Sequence, residues 1–324
     1  MKEIGGYLGL ETFAGEEYHK GLLALNSGRN ALAYLIRARD IRKLYIPYFL
    51  CDSVSGVCKR ENCVVAYYHI DNNFLPQFER ELAEGEWLYV VNYYGQISND
   101  QVLQMVSRWK HVIVDNVQDF FRQPVPGVDT IYSCRKFFGV PDGAYLATDA
   151  DTVVLEQDIS KDRMKHILGR FEGACAADYY KDFKENDHGF LKMPVRAMSK
   201  LTENLLRAVD YEEIRSRRNA NWAQLHAVLG PYNKLALTTP EGPYMYPFYC
   251  ENGMEIKKQL AAQKIYIPTL WPNVPDLDGC ELEKDYAENI LPLPVDQRYD
   301  WQDMQRLITA ILNEGKFEPF EGGN

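Results

Sequence analysis

From about residue 24 to residue 150, short apolar runs alternate with helix-length segments, a rhythm that few folds accommodate. Residues 44–47, 64–70, 87–92 and 111–115 read as strands, with shorter ones at 130–133 and 143–148. Helices are expected from near Asp52, whose side chain suits a helix start, from Pro76 to about 83, and over 100–109. Strands joined through helices need crossovers, and crossovers return the chain in parallel. The expected fold is α/β, a three-layer αβα arrangement around a mostly parallel sheet. Residues 151–198 are more polar and irregular, and helical patterns follow at 199–209, 211–229, 254–263 and 301–313, with a strand-like run at 244–250. We expect a large domain over 1–210 and a smaller C-terminal α/β domain over 211–324.

The chain has 324 residues, enough for two cores. Its net charge of −10 repels a polyphosphate backbone, so nucleic acid is not an expected partner. The seven cysteines are odd in number and irregularly spaced, which argues against a disulfide framework. Cys58 and Cys63 lack a second ligand pair at zinc-site spacing, so no metal is expected. The N-terminus has no long apolar core of an export signal, and no apolar run is long enough to span a bilayer. We expect a cytoplasmic protein without a membrane partner.

Ligands of parallel sheets bind beyond the carboxyl ends of the strands. Two such ends carry chemistry. The run His-Val-Ile-Val-Asp-Asn-Val-Gln (111–118) ends in Asp115 and Gln118, and Ser133-Cys134-Arg135-Lys136 follows a later strand. A sheltered carboxylate near a lysine suggests a pyridoxal phosphate (PLP) site, in which the lysine forms a Schiff base and the carboxylate pairs with the pyridinium nitrogen. Gln118 would meet the ring's phenolic oxygen and Ser133 the phosphate. A third element, Asn26-Ser27-Gly28-Arg29, enters a helical pattern whose N-terminus suits an anion. Taken singly, Asp115 reads as a helix cap, Lys136 as a surface lysine and Ser27 as a cap. Arg215-Ser216-Arg217-Arg218 reads as a solvated helix face, and Trp271 as either site or packing.

With these elements in this order, the chain resembles the DegT/DnrJ/EryC1/StrS family of PLP-dependent sugar aminotransferases, of fold type I. Ser27-Gly28-Arg29-Asn30-Ala31-Leu32 resembles the family's phosphate-binding turn. Ile46-Pro47-Tyr48-Phe49-Leu50-Cys51 resembles its Val-Pro-x-x-Thr-Phe strand end, with Cys51 where an aromatic usually stacks on the cofactor and Tyr48 or Phe49 as substitutes. Val91-Asn92-Tyr93-Tyr94-Gly95-Gln96 is similar to Val-His-Leu-Tyr-Gly-Gln, with Asn92 in the place of histidine. Asp115-Asn116-Val117-Gln118 and Ser133 to Lys136 resemble the ring-binding and Schiff-base segments. Met193-Pro194-Val195-Arg196 resembles a segment that reaches the cofactor phosphate of the neighbouring subunit, which implies that role for Arg196.

The resemblance implies an aminotransferase that moves an amino group from an amino-acid donor to a small keto acceptor, a sugar or nucleotide-sugar among the candidates. It implies catalysis by Lys136, cofactor contacts from Ser27, Gly28, Arg29, Cys51, Asn92, Asp115, Gln118, Ser133 and Arg196, and a homodimer. Two other readings share the scaffold, because fold does not fix reaction: a PLP-dependent lyase or decarboxylase, and a PLP-binding regulatory protein without turnover.

Overall fold

A computed structural model describes residues 4–151, 153–173, 175–315 and 317. The first part runs β1 (Leu23–Leu25), α1 (Gly28–Ala38), β2 (Lys43–Pro47), α2 (Asp52–Arg60), β3 (Val64–Ile70), β4 (Pro76–Gln77), β5 (Glu86–Val91), α3 (Asn99–Trp109), β6 (Val112–Asp115), β7 (Asp129–Ser133) and β8 (Ala144–Ala147). There follow α4 (Lys165–Phe171), α5 (Tyr180–Gly189), α6 (Lys200–Leu206), α7 (Tyr211–Leu229), β9 (Met245–Tyr249), α8 (Gly253–Ala262), α9 (Glu281–Asn289), β10 (Ile290–Pro294) and α10 (Trp301–Glu314).

The first eight strands form one sheet in the order β1-β8-β7-β6-β5-β2-β3-β4. Its centre, from β3 through β2, β5 and β6 to β7, is parallel. β1, β8 and β4 join antiparallel at the margins. The α/β fold is thus the one expected, with a mostly parallel sheet flanked by helices. Parallel strands covered on both faces read as continuous apolar runs. The β6 run Val-Ile-Val-Asp is buried throughout, down to its terminal acid.

Two local expectations fail. The stretch opened by Pro76 is not a helix: Pro76–Gln77 pairs antiparallel with the end of β3. Asp71 Oδ1 accepts the N–H groups of Asn73 and Leu75, both at 2.8 Å, which turns the chain back, and Phe78 is buried against Tyr45 and Tyr68. An Asx turn and an aromatic anchor override the helix-starting proline. The other failure concerns residues 151–198, which hold two helices, α4 and α5, rather than irregular chain. Asp52 is the first residue of α2, and Cys51 stands in the cap position, its side chain meeting the Ser53 hydroxyl rather than a backbone N–H of the helix.

Behind β7 and β8, Phe120, Phe121, Tyr132, Phe137, Phe138 and Tyr145 form an aromatic cluster. A second core gathers Trp222, Leu225 and Leu229 of α7 with β9, β10, α8 and α10. Other residues beyond 210, among them Trp271, Val274 and Tyr286, pack on the large sheet.

Candidate active site

The carboxyl ends of the central strands open into a cavity of about 1070 Å³. Ser27, Gly28 and Arg29 reach it from the start of α1, Cys51 from the turn after β2, and Asp115 and Gln118 from the end of β6. Ser133 and Lys136 reach it from the end of β7. Of the residues picked from sequence for cofactor contact, Asn92 and Arg196 lie outside its lining, as do the stacking substitutes Tyr48 and Phe49.

Asp115 is 4% exposed. Its Oδ2 accepts from Tyr89 Oη at 2.7 Å and its Oδ1 from the Val117 N–H at 2.9 Å. No helix follows it, so its bond to Val117 closes a turn rather than capping a helix. Burial raises its pKa, while the Tyr89 bond, the Lys136 charge and the Val117 N–H act against the rise. Such a carboxylate gains most from a cation brought to it. Gln118 spends its Oε1 on the Tyr94 N–H at 2.9 Å, which holds Tyr94 in a left-handed turn. Its amide NH₂ is left as the donor.

Lys136 closes a single 3-10 turn after Ser133. The next two residues, Phe137 and Phe138, are buried in the aromatic cluster, so the turn cannot swing freely. Its base is pinned as well: the Cys134 N–H donates to Gly143 O, and the Gly143 N–H donates to Asn26 O. Gly143 has φ +113°, and a Cβ there would sit 3.0 Å from Thr202 and 3.2 Å from Cys134, so glycine is required. The Lys136 Nζ lies 5.3 Å from the centre of the Tyr244 ring. Among the described residues it has no hydrogen-bond acceptor and no carboxylate partner.

The start of α1 forms the other end of the cavity. Ser27 caps it, its Oγ accepting the Asn30 N–H at 3.2 Å. The Gly28 and Arg29 N–H groups belong to the first turn, where no intrahelical acceptor exists. Arg29 and Arg135 both hold Asp187 of α5, at 3.0 and 3.1 Å. Burial pushes the Asp187 carboxyl up, but the two guanidinium groups outweigh it and hold it at about 2. α4 and α5 form this wall of the cavity, contributing His166, Arg170, Phe171, Phe183 and Asp187.

Asn92 is buried and donates to Asn116 Oδ1 and Asp119 Oδ2, both at 3.0 Å, and accepts the Ile97 N–H. It ties together the loops after β5 and β6. Arg196 pairs with Glu156 at 2.9 Å and Asp158 at 3.7 Å, while its carbonyl accepts the Asn26 N–H beside the α1 turn. Tyr48 stacks on Tyr67, and Phe49 is buried against Trp271. Neither lines the cavity, whereas Cys51, Val117 and Trp271 do. Among the described residues, His69, Cys280 and Glu283 could approach a metal, with their ligand atoms within 4.8 Å of one another. Glu283 already accepts from the Ile70 N–H at 3.2 Å and lies 3.1 Å from His69 Nδ1, a join between α9 and β3 away from the cavity.

One reading from sequence needs correction. Arg215 and Arg217 lie on the solvated face of α7, but Arg218 is 1% exposed and lines the cavity. It stands in register with Trp222, Leu225 and Leu229, the buried stripe of the helix. That register was the signal available in the sequence.

The donor set fits PLP. A buried carboxylate wanting a cation, an amide NH₂, an unpaired amine and a capped helix N-terminus beside Ser133 share one cavity. No family model matches the sequence, and no curated protein matches it. Solved structures do match in fold. A DegT DnrJ EryC1 StrS aminotransferase from Brucella abortus shares 15% identity over 91% of this chain and 86% of its own, with a TM-score of 0.63. NtdA from Bacillus subtilis, with bound cofactor PMP, shares 15% over 90% and 72%, with a TM-score of 0.65. The sugar aminotransferase CalS13 from Micromonospora echinospora shares 13% over 91% and 87%, with a TM-score of 0.60. The chain has the fold of these aminotransferases.

Proposed function

We propose that this protein is a PLP-dependent aminotransferase that moves an amino group from an amino-acid donor to a keto acceptor. The observation that carries the reading is the placing of Asp115 and Lys136, from separate strand ends, on one cavity with the α1 N-terminus. PLP, when bound, supplies an electron sink and a temporary carrier for the amino group. Ser27, Ser133 and the first N–H groups of α1 would bind its phosphate. Asp115 would hold a proton on the pyridine nitrogen, and the Gln118 amide would donate to the phenolic oxygen. The Lys136 amine would take the proton from the donor's α-carbon and return it when the acceptor is aminated. The apolar lining side chains, Val117 and Trp271 among them, would limit water in the cavity.

Two finer points belong to the same proposal. In a chain of net charge −10, the cavity is lined by Arg29, Arg135, Lys136, Arg170, Arg218 and Arg298 against Asp115, Asp187 and Asp296. That excess of positive charge supports an anionic acceptor such as a nucleotide-sugar. Arg196 lies beside the α1 turn yet outside its own cavity, which supports a homodimer in which it faces the partner's site.

Borohydride reduction in the presence of PLP tests the site. Peptide mapping should find the cofactor fixed to Lys136, and Lys136→Ala should remove the label. A label on another lysine, or none, would contradict the assignment.

A further inference from the structure

Arg218 is a buried guanidinium that forms no ion pair among the described residues. Its Nε donates to Gln297 Oε1 at 3.0 Å, its Nη1 to Pro243 O at 2.8 Å and Tyr244 O at 3.4 Å, and its Nη2 to Phe137 O at 3.4 Å. Its guanidinium carbon also lies 4.6 Å from the centre of the Phe137 ring. The nearby acid, Asp296, has both its oxygens taken by Arg298, whose Nε donates to Oδ1 at 2.6 Å and whose Nη2 donates to Oδ2 at 2.8 Å. Burial pulls the Arg218 pKa down to about 10, with Asp296 and Tyr244 opposing. Burying a cation against neutral acceptors is a poor way to stabilise a helix contact, and an apolar side chain of similar volume would serve as well.

What the arrangement secures is geometry. The Phe137 carbonyl follows Lys136 directly, and Gln297 Nε2 donates to the same oxygen at 2.8 Å. Tyr244, whose carbonyl Arg218 also holds, carries the ring beside the Lys136 Nζ. One side chain on α7, in the second core, therefore grips both the backbone that bears the lysine and the residue it lies against. We propose that Arg218 is a positioning residue for Lys136, assisted by Gln297, and that it makes the place of the lysine amine depend on the seating of the second core. This rests on the reading of Lys136 as the PLP-binding lysine.

The test mixes PLP with the wild-type protein, Arg218→Met, Arg218→Lys and Lys136→Ala, and follows the visible band of lysine-linked PLP. Arg218→Met should keep the fold by thermal melting, yet capture PLP about 10- to 100-fold more slowly and move the pH midpoint of the band, as expected for a displaced amine. Arg218→Lys should recover only part of the rate, since an ammonium cannot span two carbonyls as a guanidinium does. If Arg218→Met does not fold, Gln297→Leu carries the test with the same direction and a smaller effect. Wild-type capture rate and midpoint in the folded variant would overturn the positioning role and leave the Lys136 reading intact. A wild-type protein without the band, or a band that persists in Lys136→Ala, would overturn both.

Discussion

Asp115 ends β6 as a buried carboxylate whose Oδ2 accepts from Tyr89 Oη. The three β-branched residues before it, Val112, Ile113 and Val114, shelter it in the sheet. The Tyr89 hydroxyl that meets it comes from the adjacent strand, through the register that pairs Val91 with Asp115, and no local pattern encodes that. Because its folded pKa is raised above its unfolded value, Asp115 favours the cofactor-free fold while protonated and loses that contribution as pH rises through the folded pKa. Asp115→Asn should therefore raise the melting temperature of the cofactor-free protein at neutral pH, and the gain should vanish below about pH 4, the ordinary Asp range. The same substitution should weaken PLP binding roughly 100-fold or more, since the pyridinium loses its buried counter-charge. A thermal-melting series in pH and a PLP titration check the two halves.

Most helices and strands of the first 150 residues were readable because each buries an apolar run; β1 and β4, at three and two residues, are too short to carry one. α4 and α5 were not readable, because they bury no apolar stripe: Leu168, Phe171 and Tyr180 are exposed, and inward groups such as Asp187 belong to the cavity wall. Asp187→Asn should weaken the hold of α5 on Arg29 and Arg135. Hydrogen bonds to charged groups contribute about 1.5–3 kcal/mol, so amide exchange in α5 should speed up by about ten- to a hundredfold. Exchange in β5 and β6 should stay as it was. The segment before β1 has a different tie. His19 is buried with its Nε2 2.6 Å from Phe120 O, and a Cβ at Gly15 would meet Arg207 O at 2.1 Å, so the chain is pressed against α6. Burial lowers the His19 pKa from 6.5 to about 4, against the Phe120 bond. The folded state resists its protonation, so its contribution is complete above pH 6.5 and is lost as pH falls through about 4. The loss is on the order of 3 kcal/mol. His19→Gln should flatten the melting temperature between pH 7 and 4.

For the molecule as a whole, the α/β class followed from the alternation of strands and helices, whereas the strand order did not. Order is set by which faces pack, and the antiparallel margins β1 and β8 carry no distinctive pattern. The site follows the same division. The strand-end residues of the candidate site could be read, whereas Arg218 was misread, because the charges flanking it masked its register with Trp222, Leu225 and Leu229. No helix among the described residues is long and apolar enough to cross a membrane. In the function proposed above, the cavity between the strand ends and the second core binds PLP on Lys136 and an amino acid loads it. An absorption spectrum of the purified protein with PLP, before and after L-glutamate, tests this most directly. The expected result is a visible band that glutamate abolishes, with pyridoxamine phosphate released on denaturation. A protein that shows no band with PLP, or that keeps its band in the presence of every amino-acid donor, would contradict it.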